Sequence, residues 1–145
     1  MKKIKTIDGV AAYNFLKSAT LGNMETSQKF NIIKNLRPLR KVAEAFDEFR
    51  QDAIERLKGE DVKEMEKRNL SMQKNGATPT PEEKLISDAV FETYEKEVNE
   101  CVREYAETEI EVDICPINED TFGQLLSANE KWTIEQAMAV QDMLC

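Results

Sequence analysis

The sequence contains no histidine and only three cysteines, Cys101, Cys115 and Cys145. Histidine is the commonest general base, and it completes the Ser–His and Cys–His pairs of nucleophilic catalysis. The cysteines are odd in number, widely spaced and without a CxxC pair, so neither a zinc site nor a disulfide framework is predicted. We therefore expect a protein that is not an enzyme, binds no cofactor and no metal, and resides in a reducing compartment.

A long apolar run is also lacking. No stretch approaches the roughly 18 consecutive apolar residues that cross a bilayer. The N-terminus is basic, but Gly9, Asn14 and Lys17 interrupt the segment that follows, so a signal peptide is not predicted. The sequence favours a cytoplasmic protein that has no membrane partner.

The composition is that of a helix-rich globular chain, with 41% hydrophobic and 33% charged residues over 145 positions. This length predicts a single domain over residues 1–145. The net charge of −8 is unevenly distributed. Residues 1–58 contain 12 Lys and Arg against 7 Asp and Glu, whereas residues 59–145 contain 8 against 21. Two interpretations stay open: the halves pair inside the fold, or a basic surface is free for an acidic partner.

The clearest pattern is an apolar helical stripe in residues 39–57, with a matching stripe in residues 81–106. Their apolar side chains recur at steps of three and four residues, and each buried Leu or Phe stabilises the fold by about 1.5–3 kcal/mol. We expect the two stripes to cover each other in a long antiparallel helical hairpin, with residues 75–80 as the linker between the two long helical regions. The first stripe comprises Leu39, Val42, Phe46, Phe49, Ala53 and Leu57, and the second Phe91, Tyr94, Val98, Cys101 and Tyr105.

Pro38 lies immediately before the first stripe. Proline inside a helix removes a hydrogen bond and costs about 3 kcal/mol. The sequence predicts either a kink at Pro38 or a break, in which a new helix begins with Asn35 as its N-cap.

Several shorter elements complete the predicted fold. Alternating side chains predict a half-buried strand over Glu109–Cys115, and residues 2–6 are its only candidate partner. The fold class is thus mainly α with minor β. Shorter helices are expected over residues 10–19, over residues 60–74 and from residue 118 onwards. Another begins at Thr26 or Ser27 and contains Phe30, Ile32, Ile33 and Leu36. The last begins at Thr133, where Gln136 completes a capping box.

Two charged groups are candidate partner-binding residues. Cations at helical spacing could contact phosphates, but no nucleic-acid motif accompanies them, so nucleic acid is disfavoured. Carboxylates on one face of a strand lie nearly 7 Å apart, which is too far to converge on one ion, and no EF-hand or glycine-rich loop is present. The cations are Lys34, Arg37, Arg40 and Lys41, and the carboxylates are Glu107, Glu109, Glu111 and Asp113.

The order of elements resembles small uncharacterised helical proteins encoded by tailed phages and prophages. The resemblance rests on Tyr13–Leu16, Lys29–Leu36, Phe46–Arg50 and the late strand Glu109–Ile114 with its short helical tail. It implies a phage-type context, in the bacterial host cytoplasm or with the virion, and a non-enzymatic role.

We therefore expect a small interaction protein, such as an assembly, adaptor or chaperone factor, that binds a protein partner through a helix face. The alternative is a regulator that binds a host protein or nucleic acid through the basic residues 34–41. A homo-oligomer stays open, because two stripes of similar length can also pair between chains.

Overall fold

The structure is a computed structural model that describes all of residues 1–145. It is mainly helical with one small antiparallel sheet, which confirms the predicted fold class. The elements follow in the order β1 (Lys2–Lys5), α1 (Thr6–Leu16), α2 (Thr26–Arg56), α3 (Glu60–Lys74), α4 (Pro81–Ala106), β2 (Glu109–Val112), α5 (Glu119–Ala128) and α6 (Ile134–Leu144).

The chain divides into two compact units, and α2 and α4 contribute residues to both. Unit 1 comprises Met1–Asp47 and Tyr105–Cys145, and unit 2 comprises Glu48–Glu104. Residues 75–80 connect α3 to α4 within unit 2. The single-domain organisation of the chain stays a prediction.

Unit 1 contains the hydrophobic core. Leu39, the first residue of the predicted stripe, is completely buried there. The core joins side chains from both strands, from the first half of α2 and from α1, α5 and α6. Its buried members are Ile4, Ala12, Leu16, Met24, Ile32, Leu39, Val112, Ile117, Phe122, Leu125, Val140, Met143 and Leu144.

The two strands pair as the sequence predicts, but β2 ends earlier than expected. Lys2 lies opposite Val112 and Lys5 opposite Glu109 in the antiparallel register. The prediction that the strand reaches Cys115 is wrong, because the ladder ends at the pair of Lys2 and Val112. The backbone of Cys115 is held by a side chain of α2 instead.

α1 begins four residues before its predicted start at residue 10. Its first residue, Thr6, directly follows β1, and the Thr6 N–H donates to the Thr108 carbonyl at 2.9 Å. Gly9 lies inside this helix and packs closely against two side chains. A Cβ at this position would lie 3.0 Å from Ile4 Cδ1 and 3.1 Å from Val42 Cγ1, so the packing favours a glycine.

Gly9 and Gly123 offer matched substitutions with opposite expected effects. Gly9→Ala should lower the free energy of unfolding by about 1–2 kcal/mol, because the Cβ is forced against packed side chains and the helix gain of about 0.5–1 kcal/mol offsets this cost only in part. Gly123→Ala should raise it by about 0.5–1 kcal/mol, because nothing lies within 4 Å of the new Cβ and alanine favours the helix α5. Urea unfolding followed by circular dichroism measures both. Equal effects of the two substitutions would contradict the packing described around Gly9.

Pro38 lies inside α2, which runs without a break from Thr26 to Arg56. The alternative in which a second helix begins after an N-cap at Asn35 is therefore wrong. Asn35 is 1% exposed, and its side chain contacts the segment after β2 instead of the helix N-terminus. The hydrogen bond lost at Pro38 is that to the carbonyl of Lys34.

The two predicted stripes meet in antiparallel order. In unit 1 the rings of Phe46 and Tyr105 lie 6.2 Å apart, and in unit 2 the Tyr94 hydroxyl donates to the Ile54 carbonyl. The stripes are less buried in unit 2 than the sequence predicts, since Phe49 and Leu57 are only half-buried. The buried apolar residues of this unit are small: Ala53, Val62 and Val98.

Candidate functional site

The strongest candidate site is the side of α2 that points away from the core of unit 1. Leu39 is buried, and Phe30 lies nine residues before it, about two and a half helical turns, so the two point in opposite directions. Phe30 is 62% exposed and Ile33 is 52% exposed. We define the outer face of α2 as Phe30, Ile33, Lys34, Arg37 and Lys41, all of which are exposed.

The cations of this face border a groove of about 280 Å³. Lys34, Arg37 and Lys41 line it from α2, and Asp113 and Cys115 line it from the segment after β2. Pro38 also lines the groove, and because it has no N–H, the Lys34 carbonyl lacks its usual helical donor. The charged residues that line the groove are therefore three cations and one carboxylate.

The three cations of the groove make no ion pair within the chain. None of the ion pairs in the structure involves Lys34, Arg37 or Lys41. Arg40 differs, because its Nε donates to the Glu44 carboxylate at 2.8 Å. That hydrogen bond raises the pKa of Arg40. Three of the four predicted cations thus form one surface, and Arg40 is already paired.

Asn35 fixes the far wall of the groove. Its Nδ2 donates to the Cys115 carbonyl at 2.7 Å, and the Cys115 N–H donates to its Oδ1 at 2.7 Å. The side-chain amide of Asn35 thus satisfies both the N–H and the carbonyl of Cys115, as the backbone of a neighbouring β-strand would. We call these two hydrogen bonds the Asn35 clamp. Since Asn35 lies between Lys34 and Arg37 in sequence, the clamp also sets the position of the cations relative to residues 113–115.

The predicted carboxylates do not form one site. Glu107 pairs with Lys5 at 2.7 Å, and Glu109 pairs with Lys3 at 2.9 Å. The hydrogen bond to Glu107 raises the pKa of Lys5. Asp113 lies beyond the strand in the groove, and Glu111 is exposed. No group of three His, Cys, Asp or Glu residues is arranged to hold a metal ion.

The apolar residues Phe30 and Ile33 are not among the predicted partner-binding residues. The sequence assigns them to the helix without a direction, although their phase relative to Leu39 carries that information. Comparable exposed pairs occur elsewhere, with Leu85 and Ile86 on α4 and Ile134 and Met138 on α6. The pair on α2 differs in that its helix face continues into three cations without an ion pair, Lys34, Arg37 and Lys41, that line one groove.

No helix has both the length and the apolar character that a membrane span requires. The chain matches no protein-family model, no curated protein and no solved structure.

Proposed function

We propose that the protein is a small non-enzymatic interaction protein that binds a protein partner through a helix face. Its role is that of an assembly, adaptor or chaperone factor in a phage or prophage programme. The phage-type context is supported by the resemblance of the sequence to small helical proteins of tailed phages and prophages. The mode of action is supported by apolar side chains that are exposed on the helices.

The observation that supports the mode of action is the exposure of large apolar side chains in adjacent pairs on three helices. Scattered single apolar residues are normal on a protein surface, whereas adjacent ones more often mark an interaction site. The pairs are Phe30 and Ile33 on α2, Leu85 and Ile86 on α4, and Ile134 and Met138 on α6.

An affinity pull-down of the tagged chain from its native cells, with and without nuclease, tests this proposal. We expect a protein partner, identified by mass spectrometry, that survives nuclease treatment. Three double variants then locate the face: F30S/I33S, L85S/I86S and I134S/M138S. Each variant must keep the helical circular dichroism of the parent chain. Retention of the partner by all three variants would contradict binding through a helix face.

A second candidate function is a regulator that binds a host protein or nucleic acid through the basic residues 34–41. The lack of ion pairs at Lys34, Arg37 and Lys41 favours it. Binding to nucleic acid would be salt-sensitive, because each phosphate contact releases counterions. A nuclease-sensitive set of partners that disappears with R37E would support this function over the first.

A further inference from the structure

We propose that the outer face of α2 is a docking surface for an acidic amphipathic helix of a partner protein. This inference rests on the proposed function and names the chemistry of the partner that this one face accepts. It is carried by three features of the face: its exposed apolar end, its unpaired cations and the spacing between them.

The apolar end requires an apolar counterpart. Phe30 and Ile33 lie one helical turn apart and stay largely exposed, although Ile32 between them is buried in the core of unit 1. Covering an aromatic and a branched aliphatic side chain removes apolar surface from water, which is the main driving force of association. A purely polar or charged ligand would leave this end of the face exposed.

The basic end requires acidic groups. Lys34, Arg37 and Lys41 make no ion pair, and the one acidic side chain that lines the groove is that of Asp113. An exposed cation next to an apolar anchor steers an acidic partner and fixes its register. The net charge of −8 disfavours binding of a large polyanion, such as nucleic acid or an anionic bilayer, because the acidic remainder of the protein would repel it. A short acidic segment meets only the basic face.

The spacing of the cations matches a helix better than a strand. Steps of three and four residues at 1.5 Å per residue place the cations about 4.5–6 Å apart along α2. Carboxylates at the same steps on a second helix repeat with the same intervals, so an aligned helix can meet all three cations. Side chains on one face of a strand repeat at nearly 7 Å and would lose the register. The face from Phe30 to Lys41 is about 16 Å long, or three turns of a partner helix.

Selection from a displayed library of 18-residue helix-forming peptides, with one face randomised, tests the inference on the full chain. We expect the enriched peptides to carry Glu or Asp at steps of three and four, next to Leu or Phe. The strongest peptide is then synthesised, and its Kd for the chain is measured by fluorescence anisotropy. K34E/R37E/K41E should weaken binding about tenfold or more, because each attraction becomes a repulsion.

The matched control is K63E/K67E/K74E on α3, which changes the net charge by the same amount and should leave the Kd unchanged. F30S should weaken binding, whereas L85S should not. A peptide with Lys in place of each acidic residue should bind the K34E/R37E/K41E variant better than the parent chain. This charge-swap rescue excludes misfolding of the variant as the cause of the loss.

Four results would overturn the inference. Two concern the peptides: the enriched peptides lack acidic residues, or K34E/R37E/K41E leaves the Kd unchanged. The other two concern different ligands: the parent chain binds a 20-base-pair DNA duplex tightly and K34E/R37E/K41E abolishes this binding, or the parent chain forms a homodimer that K34E/R37E/K41E dissociates. The last two would assign the face to nucleic acid or to a second copy of the chain. If the pull-down partner is lost with L85S/I86S and kept with K34E/R37E/K41E, the proposed function stands and this inference fails.

Discussion

Leu39→Ala should lower the free energy of unfolding by about 2–5 kcal/mol, which is the range for a leucine truncated in a packed core. Leu39 is 0% exposed and belongs to the core cluster of unit 1. The substitution removes buried apolar surface and leaves a cavity that the fixed backbone of α2 can fill only in part. A chain of this size has a total stability of the order of 5–15 kcal/mol, so the loss is a large share of it.

Urea unfolding followed by circular dichroism at 222 nm measures this effect. Leu85→Ala is the matched control, since Leu85 is 70% exposed on α4 and should change the free energy of unfolding by less than about 0.5 kcal/mol. Leu39→Met, which nearly conserves volume, should cost less than about 1.5 kcal/mol. A similar loss for Leu39→Ala and Leu85→Ala would mean that the stripe of α2 is not what holds unit 1 together.

Several features that the sequence predicts correctly have local causes. The 60–74 helix and the start of α4 at Pro81 agree with their predictions. A cap explains the start of α4, because it acts within one turn: the Glu83 N–H donates to the Thr80 hydroxyl at 3.2 Å. The start of α6 has the same kind of cause, since Thr133 and Gln136 form both halves of the predicted capping box. The alternation of β2 is equally local. Lys3 and Lys5 each pair with the carboxylate two residues before their ladder partner, Glu109 and Glu107 respectively.

The predictions that are wrong depend on contacts distant in sequence. The end of β2 is set by where β1 begins, more than a hundred residues earlier in the chain. The early start of α1 depends on Thr108 and on the close packing of Gly9 against Val42. The local sequence around Gly9 contains no information about these neighbours.

The candidate site is predictable in part for the same reason. Helical spacing alone places Lys34, Arg37 and Lys41 on one face. The ion pair that neutralises Arg40 is also predictable from the sequence, because Glu44 lies four residues later. The exposed direction of Phe30 follows from its phase relative to the stripe. The groove itself could not be predicted, because Asp113 and Cys115 reach it only through the clamp made by Asn35.

Asn35→Ala should lower the free energy of unfolding by about 3 kcal/mol. Each lost hydrogen bond contributes about 0.5–1.5 kcal/mol, and the N–H and carbonyl of Cys115 would lose their partners at the wall of unit 1. Asn31→Ala on the same helix is the control, because Asn31 is exposed and should change stability by less than about 0.5 kcal/mol. Urea unfolding of both variants at pH 7 gives the comparison.

Asn35→Asp separates the two hydrogen bonds of the clamp. A carboxylate still accepts from the Cys115 N–H, but it cannot donate to the Cys115 carbonyl and faces its negative end. Protonation of the introduced carboxyl restores a donor, so its pKa should be raised above the ordinary value for aspartate. The stability deficit of N35D relative to the parent chain should therefore be largest at pH 7 and narrow as the pH falls through that raised pKa. A deficit that is the same at pH 7 and pH 4 would mean that the donor half of the clamp contributes nothing, and that only the N–H of Cys115 holds the groove wall in place.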